Sequence, residues 1–110
     1  MAKSNGEILD RLFAVILSRR EVDPAESYVA QQFEAGTSRI AQKVGEEAVE
    51  TALAALSGDK RELASESADL LFHLMILWAD GGLSPSDVYA ELTRREGISG
   101  LDAKKVGKGN

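Results

Sequence analysis

The chain contains no cysteine. Disulfides, thiolate metal sites and cysteine nucleophiles are thereby excluded, and the composition suits a reducing cytoplasm. Long apolar runs are also missing. The longest strongly apolar stretch, Leu70 to Ala79, is broken by His73 and falls far short of the ~20 residues that span a bilayer, so no membrane association is expected. The opening residues Met1-Ala2-Lys3-Ser4-Asn5-Gly6-Glu7 do not follow a signal-peptide layout. Positive charge is in deficit: 13 Lys and Arg against 18 Asp and Glu give a net charge of −5. That argues against nucleic acid as a partner, since tight nonspecific binding relies on basic surface. A phosphorylated small molecule stays open if a divalent cation intervenes. The single histidine, His73, reads as a buried, hydrogen-bonded core residue. Ser27 has no histidine beside it in sequence, which speaks against a serine nucleophile. Strand-like alternation, internal repeats and low-complexity blocks are absent as well.

What is present reads as helix. With 110 residues, 44% of them apolar, the chain is sized for one soluble domain. A domain this small buries only about 60–65% of the surface its unfolded chain exposes, so a homodimer would extend the core. Ile8, Leu9, Leu12, Phe13, Ile16 and Leu17 recur at helical spacing, with Ser4 and Glu7 as a candidate cap, and the helix should end near Arg19-Arg20. Asp23-Pro24 reads as an N-cap and first-position proline for a second helix carrying Tyr28, Val29 and Phe33 and stopping at Gly36. A third helix starts at Thr37 or Ser38 and reaches about Ser57. Asp59 caps a fourth, which runs to Ala79 or Asp80 and is apolar on nearly every side, as a surrounded helix would be. Ser84-Pro85 opens a fifth, to about Glu96. The expected fold is an all-α antiparallel helical bundle over residues 1–97, followed by a basic, mobile tail, 98–110, with Lys104, Lys105 and Lys108.

The acidic residues of helices three and four stand out. Glu46, Glu47 and Glu50 lie on the third, Glu66 and Asp69 on the fourth, at spacings of three or four that place side chains on neighbouring turns of one face. Glu50 is eight residues before Gly58 and Glu66 eight after it; Glu47 is eleven before and Asp69 eleven after. In an antiparallel hairpin each pair shares a level, roughly 12 Å and 16 Å from the turn at ~1.5 Å per residue. Two unit charges ~4 Å apart cost about 4 kcal/mol at an effective dielectric of ~20. Protonation relieves such repulsion, and so does a divalent cation. Magnesium takes oxygen ligands and commonly bridges carboxylates to substrate phosphates, polarising the phosphorus under attack. A carboxylate outside the coordination shell can orient or deprotonate water. Glutamates on a helix are usually only a solvated face; the matched levels are what set this group apart.

The segment Lys43-Val44-Gly45-Glu46-Glu47-Ala48-Val49-Glu50, followed by Glu66-Ser67-Ala68-Asp69-Leu70-Leu71-Phe72-His73-Leu74, resembles the paired acidic motif of all-alpha nucleotide pyrophosphohydrolases. Asp23-Pro24-Ala25-Glu26-Ser27-Tyr28-Val29, the Leu9–Leu17 helix and Arg95-Glu96-Gly97-Ile98-Ser99-Gly100-Leu101-Asp102-Ala103-Lys104 narrow the resemblance to the phosphoribosyl-ATP pyrophosphohydrolase family. The resemblance spans about Ile8 to Lys105. It departs at Asp102-Ala103-Lys104 from the acidic-then-lysine pattern of that family, and the last five residues add nothing to it.

The resemblance implies hydrolysis of the alpha–beta phosphoanhydride of phosphoribosyl-ATP to phosphoribosyl-AMP and pyrophosphate in histidine biosynthesis. It also implies ATP-type nucleotide binding, magnesium, a homodimer and a cytoplasmic setting. Glu46, Glu47, Glu50, Glu66 and Asp69 match the acidic motif and become the metal-site candidates, with Glu46, Glu47 and Glu50 also as catalytic candidates. Lys43 is placed to meet a phosphate, and Ser99, Gly100 and Lys104 to contact phosphate or ribose. Some members of the family are fused to a zinc-dependent cyclohydrolase; without room or cysteines for that, a single step is expected here. Two other readings remain open from sequence: a house-cleaning pyrophosphatase for noncanonical nucleoside triphosphates, and a non-enzymatic helical dimerisation module. Tyr28 can stack on a base or bond a carboxylate, with packing the simpler role. Trp78 and Met75 suit core or dimer interface. Gly45 lies inside a helix at ~1 kcal/mol relative to alanine, which a close helix or ligand approach would explain.

Overall fold

The computed structural model describes residues 4–98. Those residues form five helices and no strand: α1 (Ile8–Arg19), α2 (Tyr28–Ala35), α3 (Thr37–Ser57), α4 (Lys60–Asp80) and α5 (Pro85–Arg95). This is the all-α bundle expected from the periodicity. The pair α3–α4 is its spine. Gly58 adopts φ 79°, a left-handed conformation open to glycine at no steric cost, and ends α3. The Asp59 side chain then accepts from the Arg61 and Glu62 N–H groups to start α4. One residue terminates a helix and the next initiates its antiparallel partner, so α3 and α4 pack along their lengths.

α1 and α2 pack on α4, and α5 packs on α1. Phe13 and Ile16 of α1, Val29 of α2, Ile40 of α3 and Met75, Ile76 and Ala79 of α4 form the core, with Leu9, Leu12, Phe33, Phe72, Leu77 and Trp78 packed against it. Arg20 ties the end of α1 to the end of α4 by donating to the Ala79 carbonyl at 3.1 Å, with its guanidinium over the Phe33 ring. α4 is not enclosed all round, however: Leu71 remains exposed.

Two helix starts differ from the sequence reading. Ser4 does not cap α1; the Asn5 side chain accepts from the Glu7 N–H at 3.0 Å. Asp23-Pro24 does not open α2. The Asp23 side chain accepts from the Ala25 N–H and its carbonyl from the Glu26 N–H, which makes a turn. The chain then runs extended through Ser27, whose buried hydroxyl accepts from the Ala30 N–H and caps the helix. Asp-Pro serves equally as helix start or turn start, and the second capping residue settles which. At α5 the expected start holds: Asp87 accepts from the Ser84 N–H at 2.9 Å.

Candidate metal and nucleotide site

The site lies between α3 and α4, where the levelled carboxylates were expected to meet. One oxygen each from Glu47, Glu66 and Asp69 lie within 4.8 Å of one another. Glu47 points inward and is only 7% exposed. Buried carboxylates are ordinarily paired or fully hydrogen-bonded. Here Glu47 Oε2 and Glu66 Oε2 are buried with no hydrogen-bond partner among the described residues. Partial burial, followed by the charges of Glu50, Asp69 and Glu47, pushes the Glu66 carboxyl above its ordinary value. Glu50 stands within hydrogen-bonding reach of Glu66.

The backbone beneath the cluster is held in register. The Thr51 hydroxyl reaches the Glu47 carbonyl at 2.7 Å on its own helix and the Glu66 carbonyl at 3.1 Å across the hairpin. Threonine commonly bonds back along its helix. The cross-helix half of the contact leaves no trace in the sequence pattern, and sequence reasoning missed it.

Lys43 forms the basic edge. Its ammonium is 3.5 Å from Glu46 Oε1 and 3.6 Å from Glu47 Oε1. Burial works to lower its pKa, but Tyr28, Glu46 and Glu47 together outweigh that and raise it, so the charge is secure. Glu46, by contrast, is not among the carboxylates whose oxygens meet. It is exposed, accepts from the Gln42 amide at 2.9 Å, and is held below the usual carboxylate range by Gln42 and then Lys43. The hairpin thus gathers Glu47, Glu50, Glu66 and Asp69 and leaves Glu46 at the rim with Lys43. Ser99, Gly100 and Lys104 lie outside the described residues.

His73 is buried and hydrogen-bonded, as its place in an apolar helix suggested, yet it borders the site. Its Nδ1 donates to the Asp69 carbonyl at 2.8 Å. A carbonyl can only accept, so in the neutral ring Nε2 is free to accept the Tyr28 hydroxyl, 2.8 Å away. Gly45 shows no close approach among the described residues: a Cβ there would meet none of them within 4 Å.

An oxygen-only donor set with two orphaned buried oxygens suits a hard divalent cation. Five helices without a strand among the described residues, and a carboxylate cluster shared by two arms of a hairpin, define an all-α nucleotide pyrophosphohydrolase. Within that class the family model for phosphoribosyl-ATP pyrophosphohydrolase matches residues 9–96. The chain belongs to that family. It is 55% identical over 106 residues to a phosphoribosyl-ATP pyrophosphatase of Azospirillum brasilense, covering 96% of each chain. It is 56% identical over 101 residues to that of Paramagnetospirillum magneticum, covering 92% of this chain and 93% of the relative. A third, from Rhizorhabdus wittichii, is 57% identical over 96 residues, covering 87% and 91%.

Proposed function

We propose that this chain hydrolyses phosphoribosyl-ATP to phosphoribosyl-AMP and pyrophosphate, a step of histidine biosynthesis, at the carboxylate cluster between α3 and α4. The observation that carries the reading is the meeting of Glu47, Glu66 and Asp69 oxygens within 4.8 Å, two of the surrounding oxygens being buried and unpartnered. Family membership supplies the substrate. Glu47, Glu66 and Asp69, with Glu50 beside them, would hold magnesium. When bound, the ion would neutralise the polyphosphate and polarise the phosphorus under attack. Glu50 is exposed and lies outside the trio of meeting oxygens, and it is the residue to orient the attacking water and take its proton. Lys43 meets a phosphate oxygen, exchanging its bond to Glu46 for one to substrate. Glu46 joins the ligands only by releasing Gln42 and Lys43. Ser99, Gly100 and Lys104 contact phosphate or ribose from the C-terminal segment.

The working form is a homodimer. Val49, Leu53 and Leu56 are each more than half exposed. At 100° per residue they share the outward face of α3 with Gly45, Ala48 and Ala52, opposite the Ile40–Glu47–Ala54 face that packs on α4. A helix apolar on both faces calls for a second covering surface, and an unobstructed glycine at one end of the stripe lets it come close. The setting is cytoplasmic and nucleic acid is not a partner. These rest on the absence of cysteine and the net charge of −5, and on the lack, among the described residues, of a helix able to cross a membrane.

The test is pyrophosphate release by the purified protein. Turnover of phosphoribosyl-ATP is expected with magnesium and none after chelation. Comparable rates on ordinary or noncanonical nucleoside triphosphates would overturn the substrate assignment in favour of house-cleaning activity.

A further inference from the structure

Tyrosines at a protein surface usually bury the ring and turn the hydroxyl to water. Tyr28 does the reverse. Its hydroxyl is committed inward to buried His73 at 2.8 Å, yet the residue as a whole is 44% exposed. The exposed area therefore belongs to the ring. Phe72 flanks that ring nearly parallel, 28° between planes at 6.3 Å, and His73 meets it edge-on at 86° and 5.8 Å. The first residue of a helix cannot easily swing away, and here buried Ser27 caps that helix immediately before Tyr28. The result is an aromatic ring fixed at three points and left open on its remaining surface.

Its position is specific. His73 lies about one turn beyond Asp69 on α4, about 6 Å along the axis, and is bonded to the Asp69 carbonyl. Lys43, paired with Glu47 at 3.6 Å, has its charge favoured by Tyr28 as well as by Glu46 and Glu47. The ring thus borders the carboxylate cluster on the side away from Gly58. A nucleotide with its phosphates at the cluster has its base several ångströms to one side, and an open, immobilised ring is the surface a base stacks on.

We propose that Tyr28 is a specificity-determining residue whose open ring stacks on the purine base of the substrate, with His73 as the positioning residue that holds it. The inference rests on the function proposed above for the phosphate end of the site. Stacking on an aromatic side chain typically changes base affinity by tenfold or more. Tyr28→Phe keeps the ring and loses the His73 bond; Tyr28→Leu loses the ring.

The experiment has two arms. In the first, KM for phosphoribosyl-ATP rises about tenfold in Tyr28→Leu, stays within about threefold in Tyr28→Phe, and kcat changes little in either. Inhibition by magnesium tripolyphosphate, which has no base, is the same in all three proteins. In the second, the tyrosine ring resonances of the wild-type protein are followed by NMR. The chain has two tyrosines, so Tyr28→Phe identifies the Tyr28 signals. They shift upfield on adding magnesium α,β-methylene-ATP and not on adding magnesium tripolyphosphate. An unchanged KM in Tyr28→Leu, an equal loss of tripolyphosphate inhibition, or a ring shift that ignores the base would each overturn the proposal. The NMR arm needs neither turnover nor a folded Tyr28→Leu. A base-dependent shift in a protein that fails to hydrolyse phosphoribosyl-ATP would sustain the stacking platform while refuting the assigned reaction.

Discussion

Replacing Glu47 by glutamine separates a metal site from a merely acidic surface, because only a metal site makes the effect of the substitution depend on magnesium. Glutamine keeps the size of the side chain and removes one charge. Two full charges 4.8 Å apart, the outer limit for the Glu47, Glu66 and Asp69 oxygens, repel by about 3.5 kcal/mol at an effective dielectric of ~20. Asp69 is exposed, and screening reduces the Glu47–Asp69 share to roughly 1 kcal/mol. Against that relief stands the lost Lys43–Glu47 pair at 3.6 Å, itself worth about 0–1 kcal/mol. In chelator, Glu47→Gln should therefore melt within a few degrees of the wild type or slightly above it. With metal the balance changes. A ligand at one hundred times its Kd stabilises the fold by about 2.7 kcal/mol, close to 10 °C for a domain of this size. Glu47→Gln forfeits most of that increment, and its pyrophosphate release falls by about a hundredfold or more, as expected when a transition-state charge stabiliser is lost. Differential scanning fluorimetry with and without magnesium reads both signs. An equal magnesium increment in variant and wild type would refute the reasoning, as would an equal loss of stability in both conditions.

Further expectations follow from the same geometry. Glu66 has its carboxyl raised first by partial burial and then by Glu50, Asp69 and Glu47. In metal-free protein its protonation adds stability as the pH falls through the raised value, and that contribution is absent above it. Metal must displace that proton, so the magnesium-induced rise in Tm should shrink from pH 7 towards pH 5 in the wild type and lose part of that pH dependence in Glu66→Gln. Ser27→Ala removes the hydroxyl that caps α2 and should cost about 0.5–2 kcal/mol in chemical denaturation; an unchanged midpoint would show the cap to be idle. Leu53→Glu places a charge on the outward face of α3 and should convert a dimer to monomer in light scattering, with helix content retained by circular dichroism. A monomeric wild type would dispose of the dimer outright.

The parts of the fold legible in the sequence were those set by local chemistry. Gly58-Asp59 and Ser84-Pro85 punctuate the chain in only one sensible way, and α3 ends and α4 and α5 begin where those residues indicated. Asp23-Pro24 did not, because a turn and a helix start use the same pair and a buried serine three residues after the proline offered a better cap. At the site, counting residues outward from Gly58 anticipated the meeting of Glu47, Glu66 and Asp69, with Glu50 beside Glu66, since antiparallel helices convert equal distance from a turn into equal height. Counting could not resolve azimuth finely enough to see that Glu46 turns to Gln42 and Lys43 instead. Nor could it find the Tyr28–His73–Asp69 chain of hydrogen bonds, whose ends are more than forty residues apart in sequence and meet only because α2 crosses α4.

The central claim is that the two arms of the α3–α4 hairpin hold one divalent cation site between them. Crystals grown with manganese in place of magnesium test it by anomalous scattering. A peak within coordinating distance of Glu47, Glu66 and Asp69 carboxylate oxygens is the predicted result. Manganese bound only at Glu46 or elsewhere on the surface, with those three carboxylates left bare, would contradict it.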